Sequence, residues 1–314
     1  MCDHNETRVT EFNLLGFKGL YNYRTLLFIV LLLIYIAIVA GNLLIVFLVS
    51  TYDNLKIPMF FLLKNLAIAD ILLTTCVVPL MLDIVLKKEG KISVGGCIVQ
   101  LYLFGIFGFV QCFIIAIMSY DRYVAISNPL DYNLIMSPNV CFLLVLGSWL
   151  LFVSLVSSEI FFISQFRFCG LNIIDHFFCD FGPVMKLSTS DTSIVMMEDF
   201  IISILILFFP FGFVLGTYIY IFNIILKIPS TNGKRKAFST CSSHLTTVCA
   251  YYGTLITVYM SPTDDNASEL NRYRALLYIV VTPLINPIIY SLRNHEIKQA
   301  LQKMWKSIAE VKWR

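Results

Sequence analysis

The sequence predicts an all-α membrane protein, a bundle of seven transmembrane helices with an extracellular N-terminus. Three observations predict it: seven apolar segments of spanning length, a composition of 58% apolar and only 14% charged residues, and an uneven distribution of Lys and Arg between alternate loops. A soluble domain carries about 25% charged residues. A transmembrane helix needs about 20 mainly apolar residues. Lipid offers the backbone no hydrogen-bond partners, so a helix has to satisfy its own amide and carbonyl groups. The net charge of +3 is too small to indicate a nucleic-acid partner.

We number the apolar segments spans 1 to 7. The sixth is the least apolar, because Ser239 to Thr247 are rich in hydroxyl groups, which membrane helices tolerate where they share hydrogen bonds. The polar start of the chain does not resemble a cleavable signal peptide, so span 1 is expected to act as an uncleaved signal anchor. The segments cover approximately residues 24–50, 58–86, 98–120, 140–163, 195–226, 237–260 and 272–292.

After span 7, residues 294–308 alternate apolar side chains with Lys298, Lys303 and Lys306. This pattern predicts a short amphipathic helix on the inner leaflet. The chain therefore divides into an extracellular tail, a membrane domain and a cytoplasmic tail, covering residues 1–23, 24–292 and 293–314.

The charges of the loops set the orientation. With the N-terminus outside, the inner side carries a net positive charge and the outer side a net negative charge, as the positive-inside rule requires. Two Asn-x-Ser/Thr sequons, at Asn5 and Asn266, then lie on the outer side and predict N-glycosylation.

The cysteines agree with an oxidising outer side. Cys97, Cys169 and Cys179 lie at or beyond the outer ends of spans, and Cys2 lies in the outer tail. A bridge from Cys97 to Cys179 would hold the long outer loop, residues 164–194, over the bundle, whereas the alternative is a set of unpaired thiols.

Span 3 ends with an acid beside a base, Asp121 and Arg122. Burying such a pair costs free energy unless it has a role. One interpretation is a switch in which Arg122 pairs with Asp121 in one state and releases it in another. The other is a basic residue that only anchors the topology.

Several function classes lack their sequence signals. We find no His-Glu-x-x-His, Gly-x-Ser-x-Gly or phosphate-loop motif of an enzyme, and no repeated halves or path of intramembrane charges of a transporter. A retinal photoreceptor needs a Lys in span 7, and none lies between Arg274 and Arg293. The run from His176 to Asp180 suggests a metal site, but with Cys179 in a disulfide only two ligands remain, so we favour a structural role and predict no metal.

Motifs occur in or beside spans 1, 2, 3, 6 and 7, so they are distributed along nearly the whole chain. They are Gly41–Asn42, Pro58–Leu62, Leu66–Asp70, Met118–Ile126, Pro129–Tyr132, Lys236–Leu245 and Pro283–Asn294. With them the chain resembles the vertebrate olfactory receptors, a branch of the rhodopsin-like G-protein-coupled receptors. The motifs of spans 3 and 6 together are highly specific to that family. The short tail and the span 6 motif argue against the nearest alternative, a chemokine- or peptide-type receptor.

The resemblance implies an odorant receptor that binds small, mainly apolar odorants within the bundle and activates a stimulatory, olfactory-type heterotrimeric G protein, which raises cyclic AMP. It implies a multi-pass plasma-membrane protein of the cilia of olfactory sensory neurons, with membrane lipids as further partners and no nucleic acid. The residues that it implies for the G-protein switch are Asp121, Arg122, Tyr123, Tyr218, His244 and Tyr290.

Asp70 is a lone acid deep in span 2 and needs polar partners, for which Asn42 and Asn286 are the candidates. The resemblance implies a sodium-binding cluster here. Many olfactory receptors add a Glu in span 3, where this chain has Gln111, so a sodium ion is expected to bind weakly. A hydrogen-bonded Asp70 without any ion stays an alternative, and no other cofactor is expected.

The outer loop departs from the family pattern of three cysteines, because the third position is Thr189. Cys169 is therefore either free or paired with Cys2, and the loop is expected to be looser than in typical relatives.

The implied odorant pocket lies between the outer halves of spans 3, 5 and 6. Helical steps back from Arg122 define its span 3 face, where Gly105 and Gly108 are expected to leave space, although core packing is an alternative role for each residue. Glu159 in span 4 either faces the pocket and favours an amine or hydroxyl, or extends to the lipid headgroups, which we favour. The pocket residues are Phe104, Gly105, Gly108, Phe109, Cys112, Ile202, Ser203, Ile206, Tyr252, Leu255, Ile256 and Tyr259.

Overall fold

The computed structural model describes residues 8–259 and 268–312. Seven long helices coincide with the predicted spans and confirm the all-α membrane bundle. In chain order they are α1 (Arg24–Thr51), α2 (Pro58–Lys87), α3 (Val94–Ser127), α5 (Pro138–Ile163), α7 (Ser193–Lys227), α8 (Thr231–Tyr259) and α9 (Ser268–Arg293).

Two 3-10 helices, Lys18–Tyr23 and Asp53–Leu55, and three shorter α-helices also occur in the described chain. The shorter α-helices are α4 (Tyr132–Ile135) in an inner loop, α6 (Phe181–Met185) in the outer loop, and α10 (His295–Lys312) after α9. The last of these lies where the sequence predicts the amphipathic helix.

Six of the long helices are apolar and long enough to cross a bilayer by composition alone. The exception within the described ranges is α8, which begins with a polar turn and carries the Ser- and Thr-rich stretch seen in the sequence. It packs against α9, α7 and α3. The hydroxyls of Thr246 and Thr247 donate to carbonyls one turn back in α8 itself, at 2.7 and 3.3 Å, which satisfies them without water.

Helix ends follow local sequence signals. The Ser93 hydroxyl caps α3 by accepting from the amide of Gly96 at 3.0 Å, and Ser137 caps α5 in front of Pro138. Pro210 lies within α7, and Pro283 and Pro287 lie within α9, where each removes one backbone donor from the helical hydrogen-bond ladder.

The third helix is central, since α3 contacts α2, α5, α7 and α8. It runs seven residues beyond the predicted end at residue 120, so Asp121 and Arg122 lie within the helix rather than beyond it. Large apolar side chains on α1, α5 and α7 point outward, as expected of lipid-facing surfaces, while buried polar residues line the interior.

The outer end is covered by a small sheet that the sequence did not predict. Strand β1 (Glu11–Leu14) pairs antiparallel with β2 (Gly90–Ser93) and parallel with β3 (Ile173–Ile174). Phe12 and Leu14 on β1 are fully buried, so this sheet fixes the N-terminal segment onto the outer loops.

The predicted disulfide between Cys97 and Cys179 is confirmed, and it joins the start of α3 to the outer loop. Cys169 is also disulfide-bonded, so it is not a free thiol. Its candidate partner, Cys2, and both sequon residues, Asn5 and Asn266, lie outside the described residues.

Thr189, at the position where the family has a third loop cysteine, donates its amide and its hydroxyl to the carbonyl of Arg167 at 2.9 and 3.0 Å. Thr189 therefore forms hydrogen bonds at the position where the family has a disulfide-bonded cysteine. The looser loop stays a prediction.

Candidate functional site

The inner end of α3 carries a buried ion pair. The guanidinium of Arg122 donates from Nε to Asp121 Oδ2 at 2.9 Å, and both residues are buried. Tyr132 on α4 donates its hydroxyl to Asp121 Oδ1 at 2.7 Å. Burial and the nearby Asp121 carboxylate raise the pKa of Tyr132, which keeps its hydroxyl protonated as a donor. The sequence analysis quoted Tyr132 within a motif but did not predict its role.

The inner halves of α7 and α8 are joined to α3 by His244. Its Nε2 atom lies 3.2 Å from the carbonyl oxygen of Ile115, and its Nδ1 atom lies 2.7 Å from the Tyr218 hydroxyl. A carbonyl only accepts, so Nε2 carries the hydrogen and Nδ1 accepts from Tyr218. A hydrogen bond between Ser119 and Thr217 adds a second tie between α3 and α7.

The remaining switch residues are apart from the ion pair. The Tyr290 hydroxyl is buried without a hydrogen-bond partner among the residues that the structure describes. Tyr123 packs its ring on Tyr120 and Tyr220, at centroid distances of 6.2 and 5.2 Å. The structure therefore brings together Asp121 with Arg122, and Tyr218 with His244, as two separate contacts.

Asp70 is held by two amides in the middle of the bundle. Gln111 donates to its Oδ1 and Asn286 to its Oδ2, each at 2.8 Å. Asn42 is not a partner of Asp70, which corrects the sequence analysis, because it donates to the carbonyls of Ile38 and Pro283 instead. The Pro283 carbonyl is available because its partner in the helical ladder would be the amide of residue 287, which is a proline without an N–H.

A sodium ion would fit this cluster only in part. The Oδ1 atoms of Asn42 and Asn286 are buried acceptors without donors in the described structure, and hard cations prefer such oxygens. However, both Asp70 oxygens already accept amide hydrogens, and the Gln111 amide presents a donor where an ion would need an oxygen.

Part of the predicted pocket is assembled between α3, α7 and α8. The Cys112 thiol donates to the carbonyl of Ile206 at 3.2 Å and lies 3.5 Å from the Tyr252 hydroxyl. Ile202 and Leu255 are buried on the same helices. These five residues form an apolar centre with one thiol and one hydroxyl group.

The expected gap at Gly105 and Gly108 is absent. The position that a Gly108 Cβ would take lies 2.8 Å from the Tyr278 hydroxyl, and that of Gly105 lies 3.4 Å from Val156. The Gly108 carbonyl also accepts from the Tyr251 hydroxyl at 3.0 Å. The prediction of space was wrong because neighbouring side chains from α8, α9 and α5 occupy it.

Three further pocket candidates face other neighbours. Phe104 packs beneath the outer loop against Phe178, at 5.0 Å between ring centroids, and Phe109 packs against Phe152 of α5 at 5.7 Å. Ile256 is 41% exposed on the outer face of α8 and does not belong to the pocket, because the rotation of that helix turns it away from α3.

The polar candidates of the pocket have different positions. Ser203 is half-buried, and its hydroxyl lies close enough to Asp199 to stabilise that carboxylate. The side chain of Tyr259 lies outside the described part of the structure.

Glu159 faces the interior. It is 7% exposed and lies one turn from the buried residues Val156 and Ile163 on the inner stripe of α5. The prediction that it extends to the lipid headgroups was therefore wrong.

The outer loop places His176 beneath the N-terminal segment, between the rings of Phe177 and Phe178. Burial, followed by the charge of Arg272, lowers the pKa of His176 to about 3, so the imidazole is neutral. Within the described ranges, no three His, Cys, Asp or Glu side chains are arranged to hold a metal ion.

Comparison with known proteins identifies the family. The family model for olfactory receptors matches residues 31–307. The chain belongs to the olfactory receptor family. It is 43% identical to human olfactory receptor 11L1 over 313 residues, covering 100% of this chain and 97% of the relative. It is 44% identical to human olfactory receptor 10C1 over 299 residues, covering 95% of this chain and 96% of the relative. It is 41% identical to rat olfactory receptor 1f45 over 304 residues, covering 97% of each.

Membership makes this olfactory receptor a multi-pass membrane receptor and not an enzyme. Its outer half holds the Cys112–Tyr252 centre and its inner end holds the Asp121–Arg122 pair, with His244 on α8 two turns from Tyr252. The roles of Tyr251 and Tyr278 were not predicted, because their approach to Gly108 depends on packing between helices, which no local sequence pattern shows.

Proposed function

We propose that this olfactory receptor binds a small, mainly apolar odorant between α3, α7 and α8 and activates a stimulatory, olfactory-type heterotrimeric G protein, which raises cyclic AMP. The observation that carries the proposal is the buried Asp121–Arg122 pair, capped by Tyr132, at the inner end of the central helix. A buried pair is costly unless it has a role, and a pair whose partners can be exchanged can bias a two-state element, which is the role of a switch.

The same helix connects the two ends of the receptor. Tyr252 and His244 both lie on α8, so an odorant that shifts Tyr252 away from Cys112 also moves His244 relative to the Ile115 carbonyl and Tyr218. Loss of those contacts would let the inner end of α8 swing outward and expose Arg122 to a G protein. The odorant has to bind the open state more tightly than the closed one for this shift to occur.

We also propose where the receptor is located and what surrounds it. The N-terminus lies outside the plasma membrane, in the cilia of olfactory sensory neurons, with glycans on Asn5 and Asn266 and lipid around the apolar faces of α1, α5 and α7. Sodium binding at Asp70 is weak, because Gln111 supplies an amide in place of a second carboxylate. Equal thermal stability of the purified receptor in sodium chloride and choline chloride would agree with weak binding.

A cyclic AMP reporter in cells, challenged with a panel of odorants, tests the function. Arg122→Ala should abolish the response at normal surface expression, while an active odorant still stabilises the purified receptor. Arg24→Ala is the matched control, because Arg24 is an exposed base at the outer start of α1. A surface-expressed Arg122→Ala receptor that signals normally would overturn the switch assignment.

A further inference from the structure

Four carboxyl groups lie at the outer ends of α5 and α7 and in the loop above them, and we call them the outer acidic cluster. Glu159 belongs to α5, Glu198 and Asp199 belong to α7, and Asp180 follows Cys179 in the loop. Glu198 and Asp199 are both close enough to Glu159 to repel its charge, and Asp180 is close enough to repel that of Asp199. Like charges placed this close disfavour one another.

Glu159 is the residue of this cluster that has no partner. It is 7% exposed, and among the residues that the structure describes it makes no hydrogen bond or ion pair. The buried charged residues Asp70 and Arg272, in contrast, have hydrogen-bond partners. Asp70 accepts from two amides, and Arg272 donates to Gly16 and Asp175. A buried carboxylate without a partner is costly, so a ligand that brings a hydrogen-bond donor to it would remove this cost.

The other three acids of the outer acidic cluster have no cationic side chain as a partner. Glu198 accepts from the Ser158 hydroxyl at 2.9 Å, and Asp199 has Ser203 one turn along α7. Across residues 8–259 and 268–312, no ion pair involves any of the four carboxyl groups. Asp180 is half-buried, and its loss of hydration raises its pKa to about 6.

The missing partner is better matched by an ammonium group than by a metal ion. Within the described chain these acids are too dispersed to form a group of three metal ligands. An ammonium has three N–H donors that reach separate acceptors, whereas a bound metal ion gathers its oxygen ligands within about 2.6 Å.

The cluster is continuous with the apolar centre of the pocket. Asp199, Ile202 and Ile206 follow one another at helical spacing on α7, and Ile206 contacts Cys112 beside Tyr252. From Asp199 to Ile206 the helix rises about 10 Å, which is comparable to the length of a short hydrocarbon chain.

We propose that the outer acidic cluster binds the ammonium group of a small aliphatic amine, whose hydrocarbon part extends along α7 toward Ile202, Ile206 and Tyr252. This inference rests on the proposed odorant-receptor function, and it names the chemical class of ligand. Glu159 anchors the ammonium and Asp199 positions it from the neighbouring helix.

The thermal stability of the purified receptor, titrated with n-hexylamine and with n-hexanol, tests binding without any need for signalling. The two probes differ in the ammonium group. We expect stabilisation by the amine that exceeds that by the alcohol, and an amine affinity reduced about tenfold or more in Glu159→Gln. Glu159→Gln keeps the shape and removes an unpaired charge, so it should fold. Asp199→Asn provides a second variant on another helix.

Glu89→Gln is the matched control, because it makes the same change at an exposed acid on the outer side, away from the cluster. It should bind the amine as the wild type does. Equal stabilisation by amine and alcohol, or an unchanged amine affinity in both cluster variants, would overturn the inference.

The cyclic AMP reporter separates this inference from the proposed function. A receptor that responds to neutral odorants, but is neither activated nor stabilised by n-hexylamine, overturns the inference and leaves the function standing. A receptor that the amine stabilises through Glu159, but that no odorant activates, retains the ammonium site and loses the proposed function.

Discussion

Buried polar side chains in this receptor fall into two groups, according to whether their hydrogen bonds are satisfied. Asp70, Arg122 and Arg272 each have at least one charge-assisted partner inside the protein. Within the described chain, the Tyr290 hydroxyl is buried without a hydrogen-bond partner, and Glu159 is 7% exposed and makes no ion pair. Satisfied groups hold one conformation, whereas an unsatisfied buried group favours any state or ligand that supplies a partner. The second group is therefore where we place ligand binding and conformational change.

Because His176 is neutral in the folded receptor, we expect the receptor to lose stability in acid. Its pKa is about 3 in the folded receptor against 6.5 for a free imidazole, so between these values the unfolded chain binds the extra proton. Stability is complete above pH 6.5 and falls as the pH drops below it, by about 2 kcal/mol at pH 5. Thermal unfolding of the purified receptor at pH 7 and pH 5 measures the loss.

His176→Phe should show a smaller drop between these pH values, because Phe cannot take up the proton and suits the aromatic surroundings. His295→Phe is the control, since His295 is exposed on α10 and should leave the pH dependence unchanged. Equal pH dependence in wild type and His176→Phe would contradict the assignment.

Among the elements, the seven spans were predictable and the outer sheet was not. Long apolar segments and Pro or Ser at their starts encode helix position locally, as at Pro58 and Pro138. Strand β1 pairs with partners about 80 and 160 residues away, so no local pattern reveals it. The end of α3 was placed too early because Asp121 and Arg122 look like a boundary, although together they neutralise each other and the helix continues.

The Cys97–Cys179 bridge predicts a strong effect on folding. Cys97→Ser should lower stability by about 2–5 kcal/mol and reduce surface delivery, because the bridge connects α3 to the outer loop across 82 residues. Surface labelling and thermal unfolding measure both effects. Cys249→Ser, at an exposed free cysteine on α8, should behave as the wild type. A Cys97→Ser receptor delivered and as stable as the wild type would refute the structural role.

Because α9 closely approaches α3, we expect a substitution at Tyr278 to offset the destabilisation caused by one at Gly108. Gly108→Ala places a Cβ 2.8 Å from the Tyr278 hydroxyl, and such overpacking costs about 1–3 kcal/mol. Tyr278→Phe removes that hydroxyl, so the double variant should be more stable than Gly108→Ala alone. A double-mutant cycle in thermal unfolding measures this coupling.

Gly212→Ala is the control for the backbone effect of the added methyl group, because no atom lies within 4 Å of its Cβ position. It should be neutral or slightly stabilising, as Ala favours helices more than Gly. Additive effects of Gly108→Ala and Tyr278→Phe would show that the two residues do not meet.

Across the whole molecule, the pocket was harder to predict than the fold because it depends on how each helix is rotated. Counting helical steps on span 3 identified Cys112, which does meet the span 6 candidate Tyr252. The same counting included Phe109, which faces α5, and the span 6 candidates included Ile256, which faces the outer surface. Rotation is set by packing among all seven helices, so a single helical pattern leaves it undetermined. Likewise, nothing in the sequence indicated that Glu159 faces inward.

One buried arginine connects three segments at the outer end of the receptor. Arg272 on α9 is 2% exposed, and its Nη1 atom donates to the Gly16 carbonyl at 2.7 Å and to Asp175 Oδ1 at 2.9 Å. Phe17 stacks on Phe177 of the loop at 5.0 Å and on Tyr273 of α9 at 5.9 Å. These contacts connect the N-terminal segment, the outer loop and α9 into one cover above the pocket.

Arg272→Ala should therefore loosen this cover as a unit. It removes the buried donor to the Gly16 carbonyl, and leaving that buried acceptor unpaired costs about 1–3 kcal/mol. We expect faster amide hydrogen exchange in residues 11–14 of β1, together with unchanged exchange at the inner end of α3, far from the change. Arg274→Ala is the matched control, because Arg274 donates to Asn271 on its own helix and should leave β1 protected. If β1 exchanges at the wild-type rate in Arg272→Ala, strand pairing alone holds the cover and the arginine is dispensable.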